Sequence, residues 1–384
     1  MRVLFLTHNY PRFKGDQAGT FIEELALALP DDCKVLVLCP HAKGLRIKEK
    51  RGKVTIYRFR YAAERKETLA YEGKMLASLR QGIKGIIELF IFTFSFVKSI
   101  RKLIVSENID IIHAHWLMPA GIAARLALSS WHIPLLLSVH GTDVMLLKNL
   151  IFGRALSRWV LSRIRLLMPV SRFLGDTLEK ISGVKKQKEL LPMPASKNFL
   201  ARPKRRLAKR IVAIGNLVKQ KRFDVLIDAL GVLAEVGIKL DLAIVGDGPE
   251  RKSLEDLCLE KNINTIFVGR QPHHKIPEIL KDAGILVLPS VDEGFGLALV
   301  EGQLAGLAVI GADAGGQRDI IEDGKTGILV KPDDVHSLAK AIADLLSDER
   351  KTLKMAALGQ ANAKRFLAGY AATRLSDIYK RVLS

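Results

Sequence analysis

Few cysteines and few aromatic residues distinguish this sequence of 384 residues. Its three cysteines, Cys33, Cys39 and Cys258, are odd in number and lack the spacing of metal ligands, which excludes a cysteine-based metal site and suits a reducing cytosol. Aromatic residues make up 6% of the chain, and no segment interleaves them with lysines, which argues against a nucleic-acid partner. We therefore expect a cytoplasmic protein that binds no nucleic acid.

The sequence also lacks an apolar run of the roughly 20 residues needed to cross a bilayer. Its longest apolar stretch, residues 86–97, is interrupted by Glu88, Thr93 and Ser95. Because basic residues flank this stretch on both sides, it predicts either a core helix or an interfacial one. The apolar run at residues 3–7 is too short for a signal peptide and predicts a first buried strand.

Charge is distributed unevenly along the chain. Residues 1–210 contain 38 Lys and Arg against 16 Asp and Glu, a net charge of +22, whereas residues 211–384 contain 22 against 24, a net of −2. This asymmetry predicts that the first half faces an anionic partner, such as a phospholipid surface, a phosphorylated acceptor or nucleic acid. The alternative is a set of solvated basic faces that aid solubility. Within this half, residues 145–165 predict either a basic membrane contact or a core helix whose arginines face water.

Short aliphatic runs alternate with longer helical patterns, and this alternation occurs twice. It predicts parallel sheets covered by helices, and therefore an α/β fold of two doubly wound, Rossmann-like domains facing each other across a cleft. A basic tract rich in proline, residues 185–210, separates the two halves and predicts a linker. The ten predicted strands are residues 3–7, 35–40, 109–114, 134–139, 166–170, 211–215, 240–246, 266–269, 285–289 and 308–312.

Residues 292–302, Asp-Glu-Gly-Phe-Gly-Leu-Ala-Leu-Val-Glu-Gly, follow one of these strands and open a helix. Gly294 and Gly296 allow close backbone approach, and a helix N-terminus favours an anionic ligand. Glu293 precedes the turn, and Glu301 lies further along the helix, within reach of a more distant group such as a ribose diol. The pattern predicts a nucleotide sugar as ligand. The alternative is a helix-start carboxylate, a solvated Glu301 and ordinary turn glycines.

The two glutamates have seven residues between them and are followed by Ala-Asp-Ala-Gly-Gly at 312–316 and Asp-Gly-Lys-Thr-Gly at 323–327. This pattern resembles the retaining glycosyltransferases of family 4, over nearly the whole chain and most strongly from 210 to 334. The resemblance implies the GT-B fold. In this sequence that fold would consist of an N-terminal acceptor domain over 1–190, a basic linker over 191–209 and a C-terminal nucleotide-sugar domain over 210–364. A last helix, about 365–384, would pack back on the first domain.

A lysine-rich loop follows the first strand of the second domain, beginning with Gly215 and Asn216. Lys221 matches the phosphate-binding lysine of the family, and its compact charge can neutralise a diphosphate leaving group. The family has an arginine where Asn216 stands and a glycine where Arg222 stands, so the diphosphate clamp is weakened or shifted to Lys219 or Arg222. The alternative is a run of solvated lysines.

Further donor contacts are expected around the glutamate motif. The resemblance implies that Glu293 binds sugar hydroxyls together with the amides of Phe295, Gly296 and Leu297, and that Glu301 binds the ribose. Arg270 is a candidate contact of the diphosphate or base, although turn chemistry alone accounts for its surroundings. Gly315, Gly316 and Arg318 are interpreted as either part of this site or the cap of the next helix.

In the first domain, polar residues follow three predicted strands. Gly19 and Thr20 end a loop whose backbone amides can meet a phosphate, with a polar loop and helix cap as the alternative. His115 ends one strand and resembles the family residue that donates to the reacting sugar, whereas His113 is interpreted as structural. His140 and Asp143 follow the next strand and are candidates for acceptor contacts. Two converging imidazoles are too few for a metal, so we expect no metal site and no cofactor.

The resemblance implies a retaining glycosyltransferase, and together with the ligand and charge patterns it leads us to expect a metal-independent enzyme at the inner face of the membrane. Its partners would be a nucleoside diphosphate sugar, a lipid-linked or saccharide acceptor and an anionic membrane surface, and cell-envelope glycan synthesis is the expected process. In the resembled family the departing phosphate takes the acceptor proton, so no protein base is needed. Two alternatives stay open: a sugar-nucleotide epimerase of similar build, and a non-enzymatic basic protein that binds membrane or nucleic acid.

Overall fold

A computed structural model describes residues 1–13, 15–16, 18–71, 82–201 and 208–384. Part of the predicted linker, residues 202–207, lies outside the described residues, as does Gln17 of the predicted phosphate loop. The chain divides into two compact units. Unit 1 comprises residues 1–194 and 368–384, and unit 2 comprises residues 195–367.

Unit 1 contains a sheet in the order β3-β4-β2-β1-β5-β6-β7, in which β3 is antiparallel to β4 and the other pairs are parallel. Its inner strands are almost entirely apolar, as expected for a sheet covered on both faces. The strands are β1 Arg2–Leu6, β2 Lys34–Pro40, β3 Lys48–Arg51, β4 Val54–Phe59, β5 Ile111–His115, β6 Leu135–Val139 and β7 Leu166–Pro169.

The connections between parallel strands of unit 1 contain the helices α1 Thr20–Ala28, α2 Ile83–Glu107, α3 Ile122–Ala127, α4 Thr142–Asn149 and α5 Gly153–Arg163. Two further helices of the unit, α6 Arg172–Ser182 and α13 Ala368–Leu383, follow its last strand. The last of these comes from the far end of the sequence and packs against α1. Its Leu375, Ile378 and Tyr379 are fully buried in the same core as Phe5 and Val37.

Unit 2 contains a parallel sheet in the order β10-β9-β8-β11-β12-β13. The strands are β8 Arg210–Ile214, β9 Asp241–Val245, β10 Thr265–Gly269, β11 Ile285–Leu288, β12 Ala308–Ala312 and β13 Ile328–Val330. The helices are α7 Phe223–Glu235, α8 Arg251–Glu260, α9 Ile276–Lys281, α10 Leu297–Leu304, α11 Val335–Ser347 and α12 Glu349–Ala363. This strand order is that of a dinucleotide-binding fold, and it reverses direction between β8 and β11.

The predicted fold of two Rossmann-like α/β domains is confirmed, and each of the ten predicted strands coincides with an observed strand to within two residues. Three strands at or near sheet edges were missed. The edge strand β3 has the sequence Lys-Glu-Lys-Arg, and β13 has only three residues. In β4, the partner of β3, buried residues alternate with partly exposed ones over the first four positions. Short or charged edge strands bury little apolar surface, so their sequences carry a weak strand signal.

The apolar stretch at residues 86–97 lies within α2, which has a core face and an exposed face. Phe92 and Phe96 are fully buried and pack against Phe59 of β4, with ring centroids 5.1 and 4.4 Å away. Phe90 and Phe94, on the opposite face, are 72% and 62% exposed. In the part of the chain that the structure describes, no helix combines the length and apolar character needed to cross a membrane.

The two faces of α2 should respond differently to truncation. Phe92→Ala is expected to lower the free energy of unfolding by about 3 to 5 kcal/mol, because it removes buried ring contacts and leaves a cavity. Phe90→Ala is the matched control on the same helix, and it should change stability by less than about 0.5 kcal/mol. Urea denaturation of both variants measures the difference, and equal losses would contradict the assigned faces.

Candidate functional site

The strand order of unit 2 places its candidate site at the carboxyl ends of β8 and β11. These neighbouring strands run in parallel, and their following helices diverge to opposite sides, which opens a crevice for ligands at that edge. The loop at 215–222 leaves β8, and the loop at 289–296 leaves β11. The structure therefore brings the predicted lysine loop and the predicted glutamate motif to one place.

Lys221 and Glu293 make direct contact in this crevice. The Nζ of Lys221 donates to Oε2 of Glu293 at 2.5 Å, and the two side chains are only 22% and 17% exposed. The two loops are joined further by the hydroxyl of Ser290, which donates to the carbonyl oxygen of Gln220 at 3.0 Å. A lysine and a carboxylate are thus held together, partly shielded from water, at the edge where a ligand would bind.

The turn that carries Glu293 is supported by the Gly315-Gly316 pair. Gly316 donates its N–H to the carbonyl oxygen of Glu293 at 2.8 Å, and a Cβ at Gly316 would lie 2.4 Å from the carbonyl oxygen of Gly294. The buried Gln317 donates to the carbonyl oxygen of Ser290 at 2.6 Å. These glycines pack against the turn of the glutamate motif, so their interpretation as a simple helix cap was incomplete, and the sequence analysis missed Gln317.

Gly296 sets the start of α10 after this turn. Its φ of 100° lies in the left-handed region that glycine adopts readily, and it is the N-cap residue of the helix. Phe295 is buried against the ring of Phe366, with centroids 5.6 Å apart. The amide of Leu297 therefore belongs to the first turn of a helix whose position is fixed by packing.

Glu301 is buried on α10 and does not face water. Its Oε1 lies 2.6 Å from Nε2 of His273, and its side chain is 5% exposed. The His273 ring in turn packs against Phe199, with centroids 5.0 Å apart. The alternative of a solvated Glu301 is wrong. His273 was missed, because nothing local in the sequence marks a histidine 28 positions away as the partner of this carboxylate.

The other predicted donor residues lie around this centre without joining the Lys221–Glu293 pair. Arg222 is paired with Asp224 and with Asp333, and its φ of 50° is left-handed, which gives a physical reason for the glycine that the resembled family has there. Gly215 leaves β8, Asn216 is exposed beside it, and Arg270 is exposed after β10.

In unit 1 the predicted histidines lie at the carboxyl ends of β5 and β6. His113 is fully buried, with Nδ1 2.6 Å from the Tyr379 hydroxyl and Nε2 2.8 Å from the Ser138 hydroxyl. Both of its ring nitrogens are therefore engaged by neighbours. This arrangement agrees with the structural role predicted for His113.

His115, His140 and His8 form a second group with unused hydrogen-bonding atoms. Nδ1 of His115 lies 3.3 Å from Nε2 of His140, and the two rings stack. Nε2 of His115, Nδ1 of His140 and Nδ1 of His8 are buried and have no partner among the described residues. Burial lowers the pKa of His115 to about 3 and of His8 to about 4, and holds that of His140 well below its ordinary value. Neutral imidazoles with unused nitrogens suit hydroxyl groups of a ligand.

Asp143 and the loop before α1 have mainly local contacts. The buried Asp143 accepts backbone N–H groups from Leu117 at 2.8 Å and Gly141 at 3.1 Å, and desolvation raises its pKa. This carboxylate holds two loops together. Gly19 has a φ of 63° and precedes Thr20, the first residue of α1, and a Cβ at Gly19 would lie 2.1 Å from the carbonyl oxygen of Asn9.

No cluster of three or more His, Cys, Asp or Glu side chains able to hold a metal ion occurs among the described residues. In the unit 2 crevice the positively charged Lys221 is paired with Glu293. In unit 1 His113 contacts two neutral hydroxyls, and His115 contacts His140.

Two family models match the chain, one in each unit. Residues 18–194 match the model described as Glycosyltransferase Family 4, and residues 197–365 match that of Glycosyl transferases group 1. An uncharacterised glycosyltransferase of Methanocaldococcus jannaschii, MJ1178, is 30% identical over 265 residues, which are 66% of this chain and 70% of that protein.

A putative teichuronic acid biosynthesis glycosyltransferase of Bacillus subtilis, TuaC, is 27% identical over 89% of this chain and 88% of its own length. Among solved structures, HepE of Anabaena in complex with UDP-glucose is similar with a TM-score of 0.71, at 18% identity, over 99% of this chain and all of that one. At that identity the likeness concerns the fold.

Four histidines of unit 1, His8, His113, His115 and His140, predict acid sensitivity. Burial holds their pKa values in the folded chain below the ordinary value of 6.5, so the unfolded chain binds more protons and stability falls as the pH drops below about 6.5. At pH 5 each imidazole that stays neutral costs about 2 kcal/mol. Urea denaturation at pH 7, 6 and 5 measures the loss, which should be smaller in His8→Gln and unchanged in His132→Gln, an exposed control. Equal free energies of unfolding at pH 7 and pH 5 would contradict this prediction.

Proposed function

Because the chain belongs to the glycosyltransferases of group 1 and family 4, we propose that it transfers a sugar from a nucleoside diphosphate donor with retained anomeric configuration. The observation that carries this proposal is the contact of Lys221 with Glu293 at the crevice between β8 and β11. Unit 2 binds the donor in that crevice, and unit 1 binds the acceptor.

Lys221 acts on the diphosphate. In the free protein its ammonium group is neutralised by Glu293, and a bound donor replaces this partner with phosphate oxygens. Negative charge grows on the diphosphate as the glycosidic bond breaks, so a lysine fixed beside it stabilises the transition state more than the ground state. The amides of Phe295, Gly296 and Leu297 lie at the start of α10, where the helix favours the same charge.

Release from Lys221 lets Glu293 accept hydroxyl groups of the transferred sugar. Glu301, buried eight positions further on, accepts those of the ribose, and His273 beside it keeps the carboxylate in place. The departing phosphate takes the proton of the acceptor on the same face of the sugar, which requires no protein base.

The acceptor is assigned to unit 1 and to a lipid-linked or saccharide substrate. The unused nitrogens of His115 and His140 are suited to sugar hydroxyls, with His115 donating to the reacting sugar. The net charge of +22 in residues 1–210 favours an acceptor carried at an anionic membrane surface on the cytoplasmic side. The likeness to the teichuronic acid glycosyltransferase supports a role in cell-envelope glycan synthesis, and the UDP-glucose complex of HepE makes UDP-glucose the first donor to test.

Replacement of the charged pair tests the donor site. Lys221→Ala is expected to lower kcat by about 100-fold or more while weakening donor binding less, because the lysine acts on the charge that develops on the leaving group. Glu293→Gln and Glu301→Ala should also lower turnover with the fold intact. Donor turnover and UDP binding, measured by release of UDP and by calorimetry, separate the two effects.

Two neighbouring residues serve as controls for Lys221. Lys219→Ala removes an exposed lysine two positions away, and Arg222→Ala removes a guanidinium held by Asp224 and Asp333. Both variants should retain most of the activity if Lys221 alone carries the diphosphate. Wild-type turnover in Lys221→Ala, with loss in either neighbour, would assign the clamp to that neighbour instead.

Activity is expected to persist in excess EDTA. Lys221 supplies the positive charge at the diphosphate, and the described residues contain no cluster of metal ligands. The measurement is turnover of UDP-glucose before and after chelation, with a magnesium-dependent nuclease in the same buffer to verify that the metal has been removed. Loss of activity that magnesium or manganese restores would overturn metal independence.

A further inference from the structure

The exposed face of α2 in unit 1 carries an unusual group of apolar side chains. They follow a helical spacing of three and four residues and form one stripe over the first three turns of the helix. Each is between 45% and 77% exposed. The members of this exposed stripe are Ile83, Ile86, Ile87, Phe90, Ile91 and Phe94.

The same face becomes basic toward the end of the helix. Lys98 and Lys102 continue the line of the exposed stripe and are themselves exposed. Arg101 between them is also exposed, but its guanidinium donates to the carbonyl oxygen of Leu126 at 3.1 Å. The two acidic residues of α2 lie away from it, since Glu88 is half-buried and Glu107 accepts the hydroxyl of Tyr57 at 2.5 Å. One surface therefore combines an apolar end with a basic end and carries no acidic side chain of α2.

The fold holds this surface outward. Phe92 and Phe96 on the opposite face of α2 are fully buried against Phe59 and Tyr61 of unit 1. Rotation of the helix to bury the stripe would expose these rings. The exposure of the stripe is thus a property of the folded unit, and contiguous exposed apolar surface of this kind marks an interaction site.

We propose that the exposed stripe of α2 is a membrane-docking surface, whose apolar turns enter the interface of an anionic leaflet while Lys98 and Lys102 meet its headgroups. Charge decides between this occupant and a second copy of the chain. A self-interface would bring two basic surfaces together without acidic partners, whereas anionic lipid complements both ends of the face. This inference deepens the proposed function. It rests on the proposal that the acceptor lies at an anionic membrane, and it names the surface that reaches that membrane.

The proposal also places the membrane contact on α2 instead of on residues 145–165. In that segment Val160 and Leu161 of α5 are fully buried while Arg154 and Arg158 face water. This is the pattern of a core helix. Apolar exposure in that segment is concentrated at Ile151 and Phe152, in the short turn before α5.

Sedimentation with vesicles tests the proposal. The wild-type chain should bind vesicles of phosphatidylglycerol and phosphatidylcholine and bind pure phosphatidylcholine weakly, with salt reducing the former. Phe90→Ser with Phe94→Ser should weaken partitioning at least tenfold, and Lys98→Glu with Lys102→Glu at least as much at low salt. Matched controls in unit 2 are Leu259→Ser, which changes an 80% exposed apolar residue, and Lys351→Glu with Lys354→Glu, which makes the same charge change. Both controls should bind as the wild type does.

A fluorescent label provides a second readout that requires no loss of binding. The three native cysteines are buried, so an environment-sensitive dye can be attached selectively at Phe90→Cys, or at Leu259→Cys as control. Docking predicts a blue shift for the dye at position 90 on anionic vesicles and none at position 259. The absence of any shift at position 90 would overturn the proposal.

The remaining outcomes distinguish membrane docking from self-association. Absence of wild-type binding to anionic vesicles, or binding unchanged by the stripe variant, would refute docking through α2. A wild-type dimer in analytical ultracentrifugation that becomes monomeric in Phe90→Ser with Phe94→Ser, without vesicle binding, would assign the face to self-association. Stabilisation by UDP-glucose in a thermal-shift assay is measured on the same variants and should be unchanged, so failure of the donor site is seen separately from failure of docking.

Discussion

The contact between Lys221 and Glu293 is the interaction on which the candidate site depends. It joins the loops that leave β8 and β11, at the place where the strand order of unit 2 reverses. Partial burial strengthens the attraction and makes either charge costly to leave alone. A ligand that separates the two must therefore satisfy both, and an anion joined to a polyhydroxyl group does so. Such a ligand is what the proposed donor, a nucleoside diphosphate sugar, would supply.

Glu301 is likewise paired with a basic side chain, which is a histidine instead of a lysine. His273 is its partner, and Phe199 holds the imidazole from the other side. Both glutamates of the motif are thus held by a basic neighbour, Glu293 by Lys221 and Glu301 by His273. His115 and His140 of unit 1 differ, because burial lowers their pKa values and they contact each other instead of a carboxylate.

The sequence was informative about features that are formed by residues close together in the chain. The strands, the turn at Glu293 and the lysine loop are local patterns, and the structure contains each of them. His273 and Gln317 were missed because their contacts with the motif exist only once β10, β11 and β12 are aligned in the sheet. The exposure of side chains also could not be predicted from the sequence. Both faces of α2 are apolar, so periodicity alone does not show that one face is buried and the other is exposed to solvent. The roles of the site residues remain predictions.

The position of α13 in unit 1 has a consequence for how the chain folds as it is synthesised. Tyr379 contacts His113 across 266 positions, and its neighbours Leu375 and Ile378 complete the core beneath α1. All of unit 2 must leave the ribosome before these residues are available. The second unit, though later in sequence, can therefore complete its core before the first, whose apolar surface beneath α1 stays uncovered until α13 has been synthesised.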